Sequence, residues 1–129
     1  MKKAVIYTRA TGRDKGVVEQ RLEEQRQMCR EYAAKHGYEI VGEYADTTSS
    51  GKKQRNFRRI VKKSKRGNFQ FVIAPCMDRM TRRIRDYHER TEKLEKNGVE
   101  VVFANGISKS NLDWCFGKLR KEWRRWKKQ

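Results

Sequence analysis

Arginine and hydroxyl side chains follow the ends of three segments that are predicted to be strands. In chain order they are Arg9 and Thr11, then Asp46, Ser49 and Ser50, then Asp78, Arg79 and Arg82. A hydroxyl that attacks phosphorus forms a covalent ester, and a planar guanidinium group contacts two phosphoryl oxygens at once without losing its proton. These residue types indicate phosphoryl transfer on a phosphodiester. For each arginine the alternative is an exposed charge or a surface salt bridge, which is common in a chain with 33 basic residues.

The predicted elements would bring these three groups to one edge of a sheet. Strands are predicted over 4–8, 38–45, 69–74 and 99–104, and helices over about 18–36, from Phe57 to near Gly67, and over about 81–97. Strands that alternate with helices form a mostly parallel sheet, and ligands gather beyond the carboxyl ends of its strands. We therefore expect an α/β fold with a mostly parallel central sheet of four or five strands flanked by helices.

The charge of the chain favours a polyanionic partner. Its 129 residues fit one domain, and 33 basic against 16 acidic side chains give a formal net charge of +17. Such a field attracts nucleic acid first, although a basic surface that serves only solubility is the other interpretation. The segment from Lys52 to Arg66 carries nine basic residues in fifteen and no acidic one. Either it is a solvated basic helix face, or it contacts double-stranded DNA through Lys52, Lys53, Arg58, Arg59, Lys62 and Lys63.

The last part of the chain, 108–129, has a different pattern. It contains all three tryptophans, and its apolar residues recur at spacings of four, three, four and three, at Leu112, Phe116, Leu119, Trp123 and Trp126. That spacing is typical of a helix that packs on another helix. The helix either covers the core of its own chain or forms a dimer contact that also faces DNA phosphate. In the second case Arg124 and Arg125 join the DNA contacts.

Several classes of protein and site are disfavoured. No run approaches the roughly 18 apolar residues that a membrane span needs, and the amino terminus lacks a signal-peptide pattern, so we expect a cytoplasmic protein without membrane contact. Cys29, Cys76 and Cys115 lie far apart and form no CxxC pair, which argues against a disulfide framework or a zinc site. No metal site is predicted.

Five short motifs, in the order in which a known family has them, run over about residues 3–107. YTRAT at 7–11 is similar to the family pattern YxR(V/A)S, and RLEEQ at 21–25 is similar to SLEEQ. DTTSSGKKQRNF at 46–57 is similar to D-x-x-x-S-G…R-P-x-F, and MDRMTRR at 77–83 is similar to (L)DR(L/F)(S/G)R. NGVEVVF at 97–103 matches the segment that follows the last of these patterns. Each motif is weak alone, but together they are specific. The sequence is identified as a member of the serine recombinases, the resolvase and invertase family.

The resemblance implies both a fold and a reaction. Family members have an α/β catalytic domain followed by a long helix that mediates dimer contacts. They cut both DNA strands, link a serine to each 5′ phosphate, rotate the ends within a tetramer and religate, without a metal or nucleotide cofactor. By this resemblance we expect a catalytic domain over 1–107, a dimerisation-type helix over 108–129 that forms a homodimer or higher oligomer, and no separate DNA-binding domain.

The resemblance also assigns roles to single residues. It implies that Arg9, Arg79 and Arg82 bind the scissile phosphate, and that Asp78 orients the arginines or helps proton transfer to the leaving 3′ oxygen. Thr11 occupies the position of the nucleophile. The residues implied to support the site are Gln25, Asp46, Ser50 and Arg55.

The sequence departs from the family pattern at several of these motifs. Thr11 stands where a serine is usual, so either serine became threonine or the serine was lost and the next residue moved up. Other departures are Lys15 for the usual glutamine, Pro75-Cys76 for a lysine, Asn56 for a proline, and a Gly51–Arg55 spacing that is one residue short. Three interpretations stay open: a recombinase that acts through Thr11, alone or with a DNA-binding partner; a degenerate homologue that binds DNA or an active partner without cutting; and a fragment of a longer integrase.

Overall fold

A computed structural model of the protein describes residues 2–47, 54–81 and 84–107, without the side chains of Asp78 and Ile84. Within these residues strands and helices alternate along the chain. The strands are β1 (Lys2–Arg9), β2 (Tyr38–Asp46), β3 (Phe71–Ala74) and β4 (Glu100–Phe103), and the helices are α1 (Lys15–His36), α2 (Arg55–Ser64), α3 (Met77–Met80) and α4 (Ile84–Lys96). The predicted α/β fold is confirmed, and the helix predicted over 108–129 lies outside the described residues.

The four strands form one parallel sheet in the order β2-β1-β3-β4. The chain leaves the central strand β1, adds β2 on one side, and then crosses to the other side to add β3. The point where the order reverses lies between β1 and β3, and crevices at such points bind ligands in open α/β sheets. Arg9 pairs with Asp46 at the last register position of β1 and β2. Two of the three predicted groups thus begin side by side.

Both faces of the sheet are covered. Val5 and Tyr7 of β1 pack in the larger core with side chains of α2 and α4, among them Phe57 and Leu94. The alternate residues Ala4 and Ile6 pack against Cys29 and Ala33 of α1 and Ile73 of β3. Burial on both faces explains why β1 is a continuous apolar run and not an alternating one.

Helix boundaries follow from local capping. α1 begins at Lys15, earlier than predicted, because the Asp14 carboxylate accepts hydrogen bonds from the backbone N–H groups of Gly16, at 2.8 Å, and Val17, at 3.3 Å. It ends as predicted at Gly37, whose φ of 76° is the left-handed conformation that glycine adopts without strain.

The predicted helix from about 81 to 97 is wrong at its amino-terminal end. Thr81 is extended, with φ −165° and ψ 150°, and it follows α3, a single turn over Met77–Met80. α4 begins only at Ile84. Among residues 2–47, 54–81 and 84–107, no helix combines the length and apolar character needed to cross a membrane.

Candidate functional site

Arg9 lies at the end of the central strand and is 3 % exposed. Gln25 of α1 holds the backbone of this residue from both sides. The Arg9 N–H donates to Gln25 Oε1 at 3.0 Å, and Gln25 Nε2 donates to the Arg9 carbonyl oxygen at 3.0 Å. A single side-chain amide thus locks the position at which β1 turns into the loop that carries Thr11.

Asp46 joins the end of β2 to the beginning of α2. Its carboxylate accepts hydrogen bonds from the backbone N–H groups of Asn56 and Phe57, each at 3.1 Å, and from the Tyr7 hydroxyl at 2.8 Å. The residue that precedes α2, Gln54, makes no side-chain cap of its own. Asp46 therefore caps α2 from the neighbouring strand, where a negative charge is favourable at a helix amino terminus.

Tyr7 stays a hydrogen-bond donor in this cluster. Its ring is buried against Phe57, with ring centroids 5.0 Å apart. Burial, and then the adjacent Asp46 carboxylate, raise the pKa of the Tyr7 phenol far above its ordinary value. The hydroxyl therefore remains protonated and keeps donating to Asp46.

Gln54 is a member of the cluster that the sequence analysis missed. It is 2 % exposed, and its Nε2 donates both to the Tyr7 hydroxyl at 2.9 Å and to the Met80 carbonyl at 3.0 Å. Both acceptors are distant in sequence, so no local pattern marks the residue. Gln54 connects β1 to α3.

Arg79 lies in α3, on the other side of β1 from Asp46. Its side chain is partly exposed, and its carbonyl oxygen accepts a long hydrogen bond of 3.4 Å from Arg9 Nε. The structure therefore brings the Arg9 side chain to the backbone of Arg79 at the switch point of the sheet. Two arginines at one edge suit an oxyanion such as a phosphodiester.

Arg90 of α4 is a second residue that the sequence analysis missed. Its Nη1 donates to the Met80 carbonyl oxygen at 3.0 Å, and its guanidinium carbon lies 4.8 Å from the centroid of the Phe57 ring. Burial lowers the pKa of Arg90. In the sequence this residue is one of several charged positions of an amphipathic helix, and nothing distinguishes it from the exposed Arg85.

Thr11 lies two residues beyond Arg9, in the loop from β1 to α1, and is partly exposed. Its carbonyl oxygen accepts a hydrogen bond of 3.4 Å from Arg21 Nη1 of α1. The hydroxyl-bearing residue is thus attached to the strand end that carries Arg9, and the loop residues that follow it, 12–14, are exposed.

Two more predicted catalytic residues lie in helices. Arg55 is exposed at the first position of α2, and the backbone of Asp78 belongs to α3 while its side chain lies outside the described part. Seven other predicted residues lie outside the described residues: Ser49, Ser50, Lys52, Lys53, Arg82, Arg124 and Arg125.

α2 presents a continuous positive surface, which we call the basic face. Phe57, Ile60 and Ser64 point into the protein, and α2 contains no acidic residue. The exposed members of the basic face are Arg55, Arg58, Arg59, Lys62 and Lys63. Lys63 is oriented by Tyr44, because its Nζ donates to the Tyr44 hydroxyl at 2.9 Å and lies 5.1 Å from the ring centroid.

The acidic and sulfur side chains do not gather into a metal-binding arrangement in the part of the chain that the structure describes. No group of three or more His, Cys, Asp or Glu residues there could hold a metal ion.

Comparison with known proteins decides the family. A family model described as Resolvase, N terminal domain, matches residues 4–114. The chain belongs to the resolvase family. The resemblance in the five sequence motifs is thereby confirmed. No curated protein matched the sequence.

Solved serine recombinases share the fold of this resolvase-family chain. The N-terminal catalytic domain of TP901-1 integrase superposes with a TM-score of 0.84 at 20 % identity, over 98 % of this chain and 99 % of that one. A resolvase family site-specific recombinase from Streptococcus pneumoniae gives 0.79 at 25 % identity, over 97 % and 89 %. The C-terminal catalytic domain of ISC1926 TnpA, an IS607-like serine recombinase, gives 0.68 at 24 % identity, over 85 % and 74 %.

Proposed function

We propose that this resolvase-family chain carries out site-specific DNA recombination at the carboxyl edge of its sheet. The observation that supports the proposal most is the meeting of Arg9 and Arg79 at the switch point, next to the loop of Thr11. Fixed guanidinium groups stabilise the negative charge that develops on a phosphodiester under attack.

The proposed reaction is a reversible transfer of the phosphoryl group. Thr11 Oγ1 attacks phosphorus and gives up its hydroxyl proton, the bond from phosphorus to the 3′ oxygen breaks, and the leaving 3′ oxygen takes up one proton with the help of Asp78, so that no net proton is gained or lost. The resulting ester between Thr11 and the 5′ phosphate stores the bond energy, and attack by a 3′ hydroxyl reverses the step and religates the strand. Arg82 joins Arg9 and Arg79 on the phosphate, and Gln25, Asp46, Ser50 and Arg55 support the site.

A second candidate function is DNA or partner binding without cutting. The observation that favours it is Thr11 itself, because a β-branched residue adds a methyl group that restricts χ1 and crowds in-line attack. A misplacement of about 1 Å can cost on the order of a hundredfold in rate. In this alternative the arginines still bind phosphate and the chain is a catalytically degenerate homologue.

The proposed DNA contacts are on the basic face of α2. Arg58, Arg59, Lys62 and Lys63 are exposed there, and Lys52 and Lys53 precede them in the sequence. Contacts to the backbone position a protein on a duplex but do not read its sequence. These contacts alone therefore do not provide site recognition, and we propose that oligomerisation uses 108–129 with Arg124 and Arg125 on DNA. The proposed site of action is the cytoplasm.

Covalent trapping tests the proposal. The native chain, Thr11→Ser and Thr11→Ala are incubated with nicked duplexes pooled from DNA that flanks the gene, then denatured and scored for protein linked to a 5′ end. We expect an adduct with the native chain and with Thr11→Ser, and none with Thr11→Ala. An adduct with Thr11→Ser alone would replace the proposal with the non-cutting alternative. No adduct with either hydroxyl would contradict the recombination chemistry.

A further inference from the structure

The carboxyl end of α3 accepts hydrogen bonds from side chains of three other parts of the chain. The Arg79 carbonyl oxygen accepts from Arg9 Nε of β1 at 3.4 Å. The Met80 carbonyl oxygen accepts from Gln54 Nε2 and from Arg90 Nη1, each at 3.0 Å. We call Gln54 and Arg90, with the carbonyl oxygen they share, the Met80 clamp.

α3 needs such outside support because it is a single turn. Its backbone bonds include Thr81 N–H to the Met77 carbonyl, at 2.9 Å, and Arg79 N–H to the Cys76 carbonyl, at 3.2 Å. The last carbonyl groups of a helix have no partner within the helix. A carbonyl oxygen has two lone pairs, so Met80 can accept both donors at once, and both donors suit the negative end of a helix.

Both donors of the clamp are themselves held in place. The Gln54 amide is buried and also donates to the Tyr7 hydroxyl, which in turn donates to Asp46. The Arg90 guanidinium lies over the Phe57 ring, which is 1 % exposed in the larger core. The position of α3 is therefore set by the same packed residues that set the beginning of α2.

We propose that Gln54 and Arg90 are positioning residues for Arg79. They contact no substrate, but they fix the turn from which the Arg79 guanidinium reaches the phosphate. This inference rests on the proposed function, since it takes Arg79 to be a phosphate contact. It also explains the residue types: a glutamate at 54 would lack the donor, and a lysine at 90 would lack the flat group that stacks on Phe57.

A thermodynamic cycle on duplex affinity tests the clamp. Arg79→Ala is introduced into the native chain and into Gln54→Met/Arg90→Met, and the affinity of each protein for a fluorescent duplex is measured at one fixed salt concentration. We expect Arg79→Ala to weaken binding about tenfold in the native chain, because it removes a charge-assisted hydrogen bond. Without the clamp, Arg79 is no longer directed at the phosphate, and the same substitution is expected to cost less than about twofold.

Two controls separate positioning from charge and from folding. Arg85→Met removes one charge from an exposed position of the same helix. In the Arg85→Met protein, Arg79→Ala is expected to weaken duplex binding as much as it does in the native chain. Arg90→Lys keeps the charge but is expected to reduce the effect of Arg79→Ala, since it lacks the guanidinium geometry. Thermal unfolding is measured for every variant to show that it is folded. If Gln54→Met/Arg90→Met does not fold, the thermodynamic cycle is measured with Arg90→Lys in its place.

The outcomes distinguish this inference from the proposed function. If Arg79→Ala reduces duplex affinity equally in folded proteins with and without the clamp, the positioning role is overturned and the proposed phosphate contact is not. No loss on Arg79→Ala in the native chain would overturn the proposed phosphate contact, and the positioning role with it. A loss confined to proteins with an intact clamp supports both.

Discussion

The buried hydroxyl of Tyr7 is the junction between the two sides of the site. It donates to Asp46, which caps α2, and accepts from Gln54, which reaches α3. The sequence motif at 7–11 includes Tyr7 but does not say what its side chain does. The structure shows that the hydroxyl, and not the ring alone, links the elements that carry Arg9 and Arg79.

Tyr7→Phe is expected to lower the free energy of unfolding by about 1–3 kcal/mol, because the ring packing on Phe57 is kept while a buried donor and acceptor are lost. Urea unfolding at neutral pH measures the difference. Tyr44→Phe removes a hydroxyl from a partly exposed position and serves as the control, with a smaller expected effect. Equal losses in the two variants would contradict the importance of the buried hydroxyl.

The same substitution changes the response to alkaline pH. The pKa of Tyr7 is raised in the folded chain above the ordinary value of 10.0, so its contribution to stability is complete below that value and is lost as the pH rises above it. The stability of Tyr7→Phe is therefore expected to fall less steeply above pH 10.0 than that of the native chain.

At the scale of elements, α1 is fastened to the edge strand β2 by a bidentate ion pair. Arg30 Nη2 and Nε contact the two carboxylate oxygens of Glu43 at 2.7 and 2.9 Å, and Arg30 Nη1 contacts Glu23 at 3.0 Å. The Arg30 guanidinium lowers the pKa of Glu43 below its ordinary value of 4.5. This ion pair joins α1 to β2 and does not involve the residues of the Met80 clamp.

A lowered carboxyl pKa contributes stability above pH 4.5 that is lost as the pH falls through the lowered value. Glu43→Gln is thus expected to melt at a lower temperature than the native chain at neutral pH, with the gap closing in acid. Melting curves from neutral pH to well below 4.5 measure this, and Glu39→Gln, another exposed glutamate of β2, is the control. A gap that persists in acid would show that the ion pair is not its source.

The elements differ in how far the sequence predicts them. The continuous apolar run of β1 and the glycine after α1 act locally, so the strand and the end of the helix follow from residue types. The amino-terminal end of α4 does not follow from residue types, because the turn of α3 that precedes it receives donors from β1, from Gln54 before α2, and from α4. The motifs likewise mark Arg9 and Arg79 as predicted site residues, whereas Gln54 and Arg90 have partners that no local pattern reveals.

For the whole molecule, the basic face and the net charge of +17 predict strongly salt-dependent DNA binding. Each phosphate contact that is lost reduces the slope of log affinity against log salt concentration by about 0.9 for duplex DNA. Arg58→Gln/Lys62→Gln is expected to make the slope shallower by about two such steps. The double variant Lys35→Gln/Lys96→Gln removes the same charge from exposed positions elsewhere and is expected to leave the slope nearly unchanged. Equal slopes for the two double variants would contradict the proposal that DNA contacts the basic face of α2.

The strand order also bears on when the site comes into existence during synthesis. β1 and β2 are joined by α1 alone and can pair early, but β3 adds to the other side of β1 only after two thirds of the described chain has emerged. Arg9, Gln54, Met80 and Arg90 come from four separate parts of the chain, and the last of them, Arg90, belongs to α4. A nascent chain therefore has α2 and its basic face before it can assemble the Met80 clamp.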